Sequence, residues 1–325
     1  MTLLYPFKFA PIFKDKIWGG QKIDTYLGKN FAPLPNCGES WEISGVRSAM
    51  SMVANGALEG HSLASLLARY QGALVGRAVY QRFGDEFPLL VKFIDAADDL
   101  SVQAHPGDEL ARQRHGCFGK TEMWYVVQAD EGATLVSGFK RKIDPQIYLD
   151  KVAAGRLCDI LNVETAAAGD VFFLPAGRVH TIGKGLLIAE IQQASDVTYR
   201  IYDFDRVDGD GKPRALHTEE ALAALDYDFH DDYKLAYSRT ANAPVKLVAC
   251  EHFRTNILTY TQAVTRDYSF DSFVIHVCVQ GSYTLNYRDE AMDIEMGECV
   301  LIPAAIASVT LSTQTGYKIL ESYIV

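Results

Sequence analysis

Three short segments of the sequence carry side chains suited to holding a metal ion. The strand-like run PLLVKFIDAADDLSVQAHPGD contains Gln103 and His105, which should share one face because side chains alternate along a strand. Glu122 opens the next such run, GKTEMWYVV, and His180 follows in LPAGRVHTI. Together they offer two imidazoles, one carboxylate and one amide oxygen. Borderline nitrogen and oxygen donors of this kind suit zinc, with coordination left open for a substrate.

Short β-rich runs separated by Gly, Pro and Asp make up most of the chain, which predicts a sandwich or barrel. An internal repeat indicates two such units, because AAAGDVFFLPAGRVHTI resembles DIEMGECVLIPAAIASVTL. Gly169 and Gly297 begin the shared pattern, which is similar to the second motif of the cupin family. Eleven residues further on stand His180 and Ser308, respectively. A second repeat pairs WYVVQADEGATL with FVIHVCVQGSYTL.

These repeats predict a division into an N-terminal catalytic cupin domain with helical insertions, 1–245, and a C-terminal cupin-like domain, 246–325. Ser308 replaces the histidine in the second unit, and His276 has no evident partner ligands nearby in the repeat. We therefore expect the second domain to bind no metal.

Helices are predicted at only a few places. Apolar residues at helical intervals indicate a helix over 62–82, with Ser62 as its N-cap. Others are expected in DELARQRH after Pro106, within 144–162, and from Thr218, where Thr218 can cap and the following glutamates suit the positive end of the helix dipole.

Composition and charge narrow the range of functions. The 325 residues carry a net charge of −10, from 41 acidic and 31 basic side chains, which argues against a general nucleic-acid binder. The sequence has no signal-peptide pattern and no apolar stretch of membrane-spanning length, so we expect a cytoplasmic protein. The six cysteines have no C-x-x-C spacing, which argues against a thiolate zinc site or a redox motif.

Several motifs in order resemble the type I phosphomannose isomerase family, in its shorter bacterial and archaeal form. They are IWGG, GESWEIS, SVQAHP, GKTEMWYV and FLPAGRVHTIGKGLLIAEIQQASDVTYRIYDFDR, and the resemblance covers almost the whole chain. It implies a mainly β fold with inserted helices, built as two cupin-type jelly-roll barrels plus a small helical region. It also implies one zinc ion per chain, with the family's ligands falling on His105, Glu122, His180 and Gln103.

The same resemblance assigns further residues to the active site. Arg200 in SDVTYR matches the family's catalytic arginine, and Asp196 matches a pocket residue, although residues four apart could instead form a simple ion pair on a turn. The full set of expected roles is catalytic for Arg200, Asp196 and Lys92, and substrate-binding for Trp18, Lys120 and Glu190.

The implied activity interconverts mannose 6-phosphate and fructose 6-phosphate through a zinc-stabilised enediol intermediate. The proton-transferring group stays open between Asp196, Glu190 and a lysine with a lowered pKa. One rival is another metal-dependent cupin enzyme such as an iron oxygenase, which usually presents two or three histidines. A second is a noncatalytic sugar-phosphate-binding relative, which should have lost a ligand or the arginine. The expected partner is a small sugar phosphate, while substrate breadth and oligomeric state stay open.

Overall fold

Antiparallel strands dominate the computed structural model, which describes residues 4–207 and 211–325. In these ranges the strands are β1 (Ile12–Lys14), β2 (Glu39–Ser44), β3 (Leu89–Ala96), β4 (Val102–Ala104), β5 (Glu122–Ala129), β6 (Thr134–Phe139), β7 (Leu161–Thr165), β8 (Val171–Leu174), β9 (His180–Ile182), β10 (Leu186–Gln193), β11 (Tyr199–Tyr202), β12 (Pro244–Ala249), β13 (Arg254–Tyr260), β14 (Val264–Asp267), β15 (Val274–Tyr287), β16 (Glu290–Glu295), β17 (Cys299–Ile302), β18 (Ser308–Ser312) and β19 (Tyr317–Tyr323). The mainly β class predicted from the sequence is confirmed.

Helices are short and lie between the strands. The α-helices are α1 (Lys22–Thr25), α2 (Leu63–Tyr70), α3 (Gly72–Val75), α4 (Arg77–Phe83), α5 (Asp108–His115), α6 (Pro145–Ala153) and α7 (Thr218–Ala224). Single 3₁₀ turns occupy Arg47–Ala49, Gly56–Leu58 and Leu157–Ile160.

The strands form three sheets. The first has the order β1-β2-β3-β10-β5-β8, and the second has the order β11-β4-β9-β6-β7. The third runs β12-β13-β19-β15-β18-β14, with β16 and β17 also paired to the long strand β15. Each of the first two sheets combines strands distant in sequence, which is how residues from separate motifs become neighbours.

The central strands β3 and β10 are buried along their whole length, so both faces of the first sheet are covered. On β3, Leu89, Val91 and Phe93 enter the main hydrophobic core, which also contains Phe273 and Leu320 from the third sheet. The alternate positions of both strands face the opposite side. Because side chains alternate, one face of the sheet builds the core and the other is available for a site.

The sequence repeat reappears in the backbone. Gly169 and Gly297 have the same positive φ of 90°, and a short strand, β8 or β17, begins two residues after each. His180 is then the first residue of β9, and Ser308 is the first residue of β18. The two segments therefore fold alike up to the position at which their side chains differ.

The helix predicted over 62–82 is broken into α2, α3 and α4. Ser62 does cap α2, by accepting a hydrogen bond from the Ser65 N–H, but Gln71 has a φ of 48° and Gly76 a φ of 99°. The helix α7 begins at Thr218 as predicted, but its N-cap is His217 and no side-chain capping hydrogen bond is made there.

The N-terminal segment crosses to the third sheet. Phe7 and Leu301 exchange two backbone hydrogen bonds of 2.8 and 2.9 Å, and the Lys8 ammonium lies 2.8 Å from the Glu298 carboxylate. Residues from the two ends of the chain therefore share one structural unit.

Candidate active site

Strands from two sheets bring the predicted metal ligands together. His180 in β9 pairs directly with Gln103 in β4, and His105 follows β4 by one residue. Glu122 is the first residue of β5 in the neighbouring sheet. The donor atoms of His105, Glu122 and His180 lie within 4.8 Å of one another, and all three side chains are buried.

Both imidazoles are fixed in the form that can bind a metal. The Nδ1–H group of His105 donates to the Val197 carbonyl at 2.9 Å, and that of His180 donates to the Arg178 carbonyl at 2.8 Å. Because a carbonyl only accepts, each Nε2 carries a lone pair. Burial lowers the pKa of His105 and lowers that of His180 to about 3, so both rings are neutral near pH 7.

Three acceptors face one another at Glu122. Its carboxylate oxygens lie 3.5 Å from the Nε2 of His105 and 3.4 Å from the Nε2 of His180. Neither oxygen accepts a hydrogen bond from any described residue, although the Lys120 ammonium lies 3.3 Å away. Burial and the nearby Glu190 charge raise the pKa of Glu122 to about 7. The Lys120 ammonium also lies 3.1 Å from the Nε2 of His105. Two buried carboxylate oxygens without a hydrogen bond, beside two imidazole nitrogens, are an arrangement that a cation stabilises, so these residues fit a metal ion.

Gln103 lies at the edge of this group. Its side-chain amide is 3.3 Å from the Nε2 of His180. A half-turn of the amide exchanges its nitrogen and oxygen, so the oxygen can face the same point as the imidazoles.

A cleft of about 450 Å³ lies against the metal-ligand group. The cleft is lined by Gln103 and by all the other residues that were selected from the sequence, which are Trp18, Lys92, Lys120, Glu190, Asp196 and Arg200. His105, Glu122 and His180 are buried behind its wall, in contact with Gln103 and Lys120. The structure therefore brings all ten predicted site residues into one region.

A row of side chains crosses four strands of the first sheet beside the cleft. Trp41 is paired with Lys92, Lys92 with Glu190, and Glu190 with Trp124, on β2, β3, β10 and β5. The Lys92 ammonium lies 2.9 Å from Oε1 of Glu190, in an ion pair without hydrogen-bond geometry, and 3.8 Å from Glu39. Alternation of side chains cannot predict this row, since it depends on which strands become neighbours.

The electrostatics of the row keep Lys92 charged. Burial alone would lower the pKa of Lys92, but Glu190 and Glu39 outweigh it and raise that pKa. Burial likewise would raise the pKa of Glu39, but Lys92 and Lys16 lower it to about 2.

Arg200 is held by neutral groups. Its backbone N–H donates to Nδ1 of His217 at 3.1 Å, and its Nη1 donates to the Ala215 carbonyl at 3.0 Å. Burial, followed by the nearby Arg214, lowers its pKa. No ion pair joins it to Asp196, which is exposed, so the two do not form the simple pair that their spacing allowed.

Several residues of the site were missed. Glu39 and Trp41 belong to the quoted motif GESWEIS, and their i, i+2 spacing was a signal that both share one strand face. Ser101 and Thr198 had the same signal, since they lie in quoted motifs two residues before Gln103 and Arg200. Three cationic side chains of the cleft wall lie outside the quoted motifs: Lys14, Lys16 and Arg214.

His276 in the third sheet has partners that its neighbours in sequence did not reveal. Oε2 of Glu321 lies 3.5 Å from its Nε2, and the guanidinium of Arg266 contacts the same carboxylate at 2.8 Å. All three lie in or against the second hydrophobic core, where Arg266 supplies the positive charge that the carboxylate requires.

Comparison with known proteins identifies similar sequences. A family model described as phosphomannose isomerase type I, catalytic domain, matches residues 6–137. The putative mannose-6-phosphate isomerase YvyI of Bacillus subtilis is 32% identical over 312 residues, or 94% of this chain and 95% of that protein. The mannose-6-phosphate isomerase of Streptococcus mutans is 42% identical over 214 residues, and the match spans 65% of this chain and 64% of that protein, slightly under two thirds.

Solved structures share the fold. The crystal structure of the mannose 6-phosphate isomerase from Bacillus subtilis matches 98% of this chain with a TM-score of 0.88 and 30% identity, over 99% of that chain. A putative mannosephosphate isomerase from Archaeoglobus fulgidus matches with a TM-score of 0.79 at 23% identity, over 98% of each chain.

Among the described residues, no helix is both long and apolar enough to cross a membrane.

Proposed function

The chain belongs to the type I phosphomannose isomerase family, and we propose from this that it interconverts mannose 6-phosphate and fructose 6-phosphate. The observation that carries the proposal is the convergence of His105, Glu122 and His180 beside a cleft lined by cationic side chains. A sugar phosphate requires both features, since it presents vicinal oxygens at one end and a dianion at the other.

We propose one zinc ion per chain, bound by His105, Glu122 and His180 with Gln103 as a weaker fourth ligand. Two neutral imidazoles and a carboxylate are a donor set typical of catalytic zinc, which keeps a coordination position for substrate. When bound, zinc supplies Lewis-acid polarisation of the carbonyl and hydroxyl oxygens next to the reacting carbons.

Glu190 is the residue best placed to move the proton. It is buried, lines the cleft and lies beside the Lys92 ammonium, so its carboxylate is placed to accept a proton from C2 of the open-chain aldose. The same carboxyl can return the proton to C1, and with transfer of the C2 hydroxyl proton to the oxygen on C1 the product is the ketose. Asp196 is exposed, and Lys92 has a raised pKa, so neither suits the role as well.

Arg200 and the cleft lysines act on the negative charges of the substrate. The Arg200 guanidinium, with no carboxylate partner, is available to the oxyanion that develops as C2 loses its proton. Lys120, and the ammonium groups of Lys14 and Lys16, make the cleft favourable for a phosphate. Trp18 forms an apolar part of the wall against which a sugar ring can lie.

We further propose that the protein acts in the cytoplasm and that its two domains meet near residue 245. None of the six cysteines forms a disulfide, which is typical of a reducing compartment. The described strands of the third sheet all begin at Pro244 or later, which supports a division close to the predicted boundary between 1–245 and 246–325, although that boundary falls within β12.

A coupled assay tests the function. Purified protein should convert mannose 6-phosphate to fructose 6-phosphate, lose activity after treatment with a chelator, and regain it with zinc. Recovery of activity with Fe²⁺ but not with zinc would contradict the proposal. Unchanged turnover after the chelator has removed all metal from the protein would contradict it as well.

A further inference from the structure

Trp124 lies behind the cleft and contacts a carboxylate that lines it. The tryptophan is fully buried in β5, and its indole Nε1–H donates to Oε2 of Glu190 at 2.7 Å. We propose that Trp124 is a positioning residue of the isomerase, whose N–H fixes the orientation of the Glu190 carboxylate toward the substrate. This inference rests on the proposed function and adds to it a residue that does not line the cleft.

The two oxygens of Glu190 are held from opposite sides. Trp124 on β5 contacts Oε2, while Lys92 on β3 lies 2.9 Å from Oε1. Both strands flank β10, so the three side chains meet at one level of the sheet. Rotation of the carboxylate plane would break the contact with the indole, and a fixed carboxylate is what proton transfer between two adjacent carbons requires.

Trp124 also reaches the metal-ligand group. Its ring meets the imidazole of His180 edge-on, with centroids 5.3 Å apart and planes at 81°. One rigid side chain therefore contacts both the carboxylate proposed to move the proton and a proposed metal ligand. This contact fixes the separation of the two groups, since the indole has no alternative position in a packed core.

A second indole–carboxylate pair lies on the other side of Lys92. The Nε1–H of Trp41 donates to Oε2 of Glu39 at 2.6 Å, but Trp41 lines the cleft and makes no contact with the metal-ligand group that the structure records. The two tryptophans are thus chemically alike but differ in which carboxylate they hold. This difference makes the Trp124 contact specific to Glu190.

The test is the substitution Trp124→Phe, which keeps an aromatic ring and removes the donor. Loss of a hydrogen bond to a charged group should lower kcat about tenfold or more, with KM and metal content close to those of the wild type. Phe172→Leu, at the paired position on β8 in the same core cluster, is the control for packing loss and should leave kcat close to that of the wild type.

The outcomes separate the two proposals. Absence of isomerase activity in the wild-type protein would remove the proposed function, and this inference with it. Wild-type turnover with an unchanged kcat in Trp124→Phe would overturn the inference alone. A fall in kcat that Phe172→Leu shares, or one accompanied by loss of metal, would also overturn it, because Trp124 would then act through packing or through His180. If Trp124→Phe does not fold, Trp124→Leu, which also lacks a hydrogen-bond donor, gives the decision when measured in the same way.

Discussion

Arg200 is distinguished from most cations of the cleft by its partners. Lys92 and Lys120 face carboxylates, as does Arg214, whereas Arg200 donates to a backbone carbonyl. A guanidinium that no carboxylate neutralises stabilises negative charge on a bound molecule more strongly than a paired one.

Arg200→Ala should therefore affect the reaction more than binding. Removal of one preorganised cationic donor should lower kcat about a hundredfold, or ~3 kcal/mol, with a smaller change in KM and with zinc retained. Steady-state kinetics and metal analysis measure this. Lys14→Ala, at a lysine that lines the same cleft, should instead raise KM. A near-normal kcat with weakened binding in Arg200→Ala would make the arginine a phosphate anchor.

Lys92 contributes to stability as well as to the site. It is buried between Glu190 and Glu39, so Lys92→Met leaves Glu190 without its cation and Glu39 with Lys16 alone. The free energy of unfolding at pH 7 should fall by about 3 kcal/mol or more. Lys16→Met, which removes a partly exposed partner of Glu39, should cost less than about 1 kcal/mol.

The pH dependence of this loss has a definite sign. The folded-state pKa of Glu39 is lowered to about 2, so its ion pairs stabilise the protein above the ordinary pKa of 4.5 and less as the pH falls toward 2. The difference in stability between the wild type and Lys92→Met should therefore shrink between about pH 5 and pH 2. Urea unfolding over this range measures it, and a difference that grows on acidification would contradict the explanation.

At the scale of elements, the break between α3 and α4 shows a contact that local sequence does not encode. Asp271 accepts hydrogen bonds from the N–H groups of Arg77 and Ala78, both at 2.9 Å, and so caps α4 from a distant loop. A Cβ at Gly76 would lie 2.1 Å from the Asp271 carbonyl oxygen. The close approach of this loop therefore requires glycine where the helix is interrupted.

Gly76→Ala should lower the free energy of unfolding by more than about 3 kcal/mol, because strain at positive φ adds to a backbone clash. Gly116→Ala is the matched control. Gly116 ends α5 in the left-handed region with no atom within 4 Å of an added Cβ, so its replacement should cost about 1–2 kcal/mol. Equal losses in the two variants, measured by denaturant unfolding, would rule out the clash.

How much of the structure the sequence could predict also depends on whether a feature is set by local residues or by distant ones. Local spacing was sufficient for α5 and for the strand carrying Gln103, and ordered motifs were sufficient to select residues that the fold gathers into one site. The single helix over 62–82 was wrong, and its second break, at Gly76, depends on a loop nearly two hundred residues away. Trp124 was missed for a related reason, since its partner Glu190 becomes adjacent only through the pairing of β5 with β10.

For the whole molecule, we propose that only the first of the two repeated units binds metal. The positions of His180 and Ser308 are equivalent, and the second core instead contains the Arg266–Glu321 ion pair beside His276. An arginine already pairs with the carboxylate there, so a metal ion would have to displace it.

His180→Ala should accordingly remove both metal and activity, whereas Ser308→Ala should keep one zinc per chain. Elemental analysis of the purified variants, with the wild type alongside, measures the stoichiometry. Full zinc content in His180→Ala would refute the ligand assignment. A second stoichiometric metal ion in the wild type would overturn the proposal for the C-terminal unit.

The exchange of hydrogen bonds between Phe7 and Leu301 affects how the chain can be made. Phe7 emerges from the ribosome long before its partner strand β17. Phe7 belongs to the main core together with Leu301, so the apolar surface that it shares with that strand stays uncovered until β17 is made. Nascent chains truncated before Leu301 should therefore bind chaperones through this N-terminal segment, and completion of β17 is the step that ends the exposure.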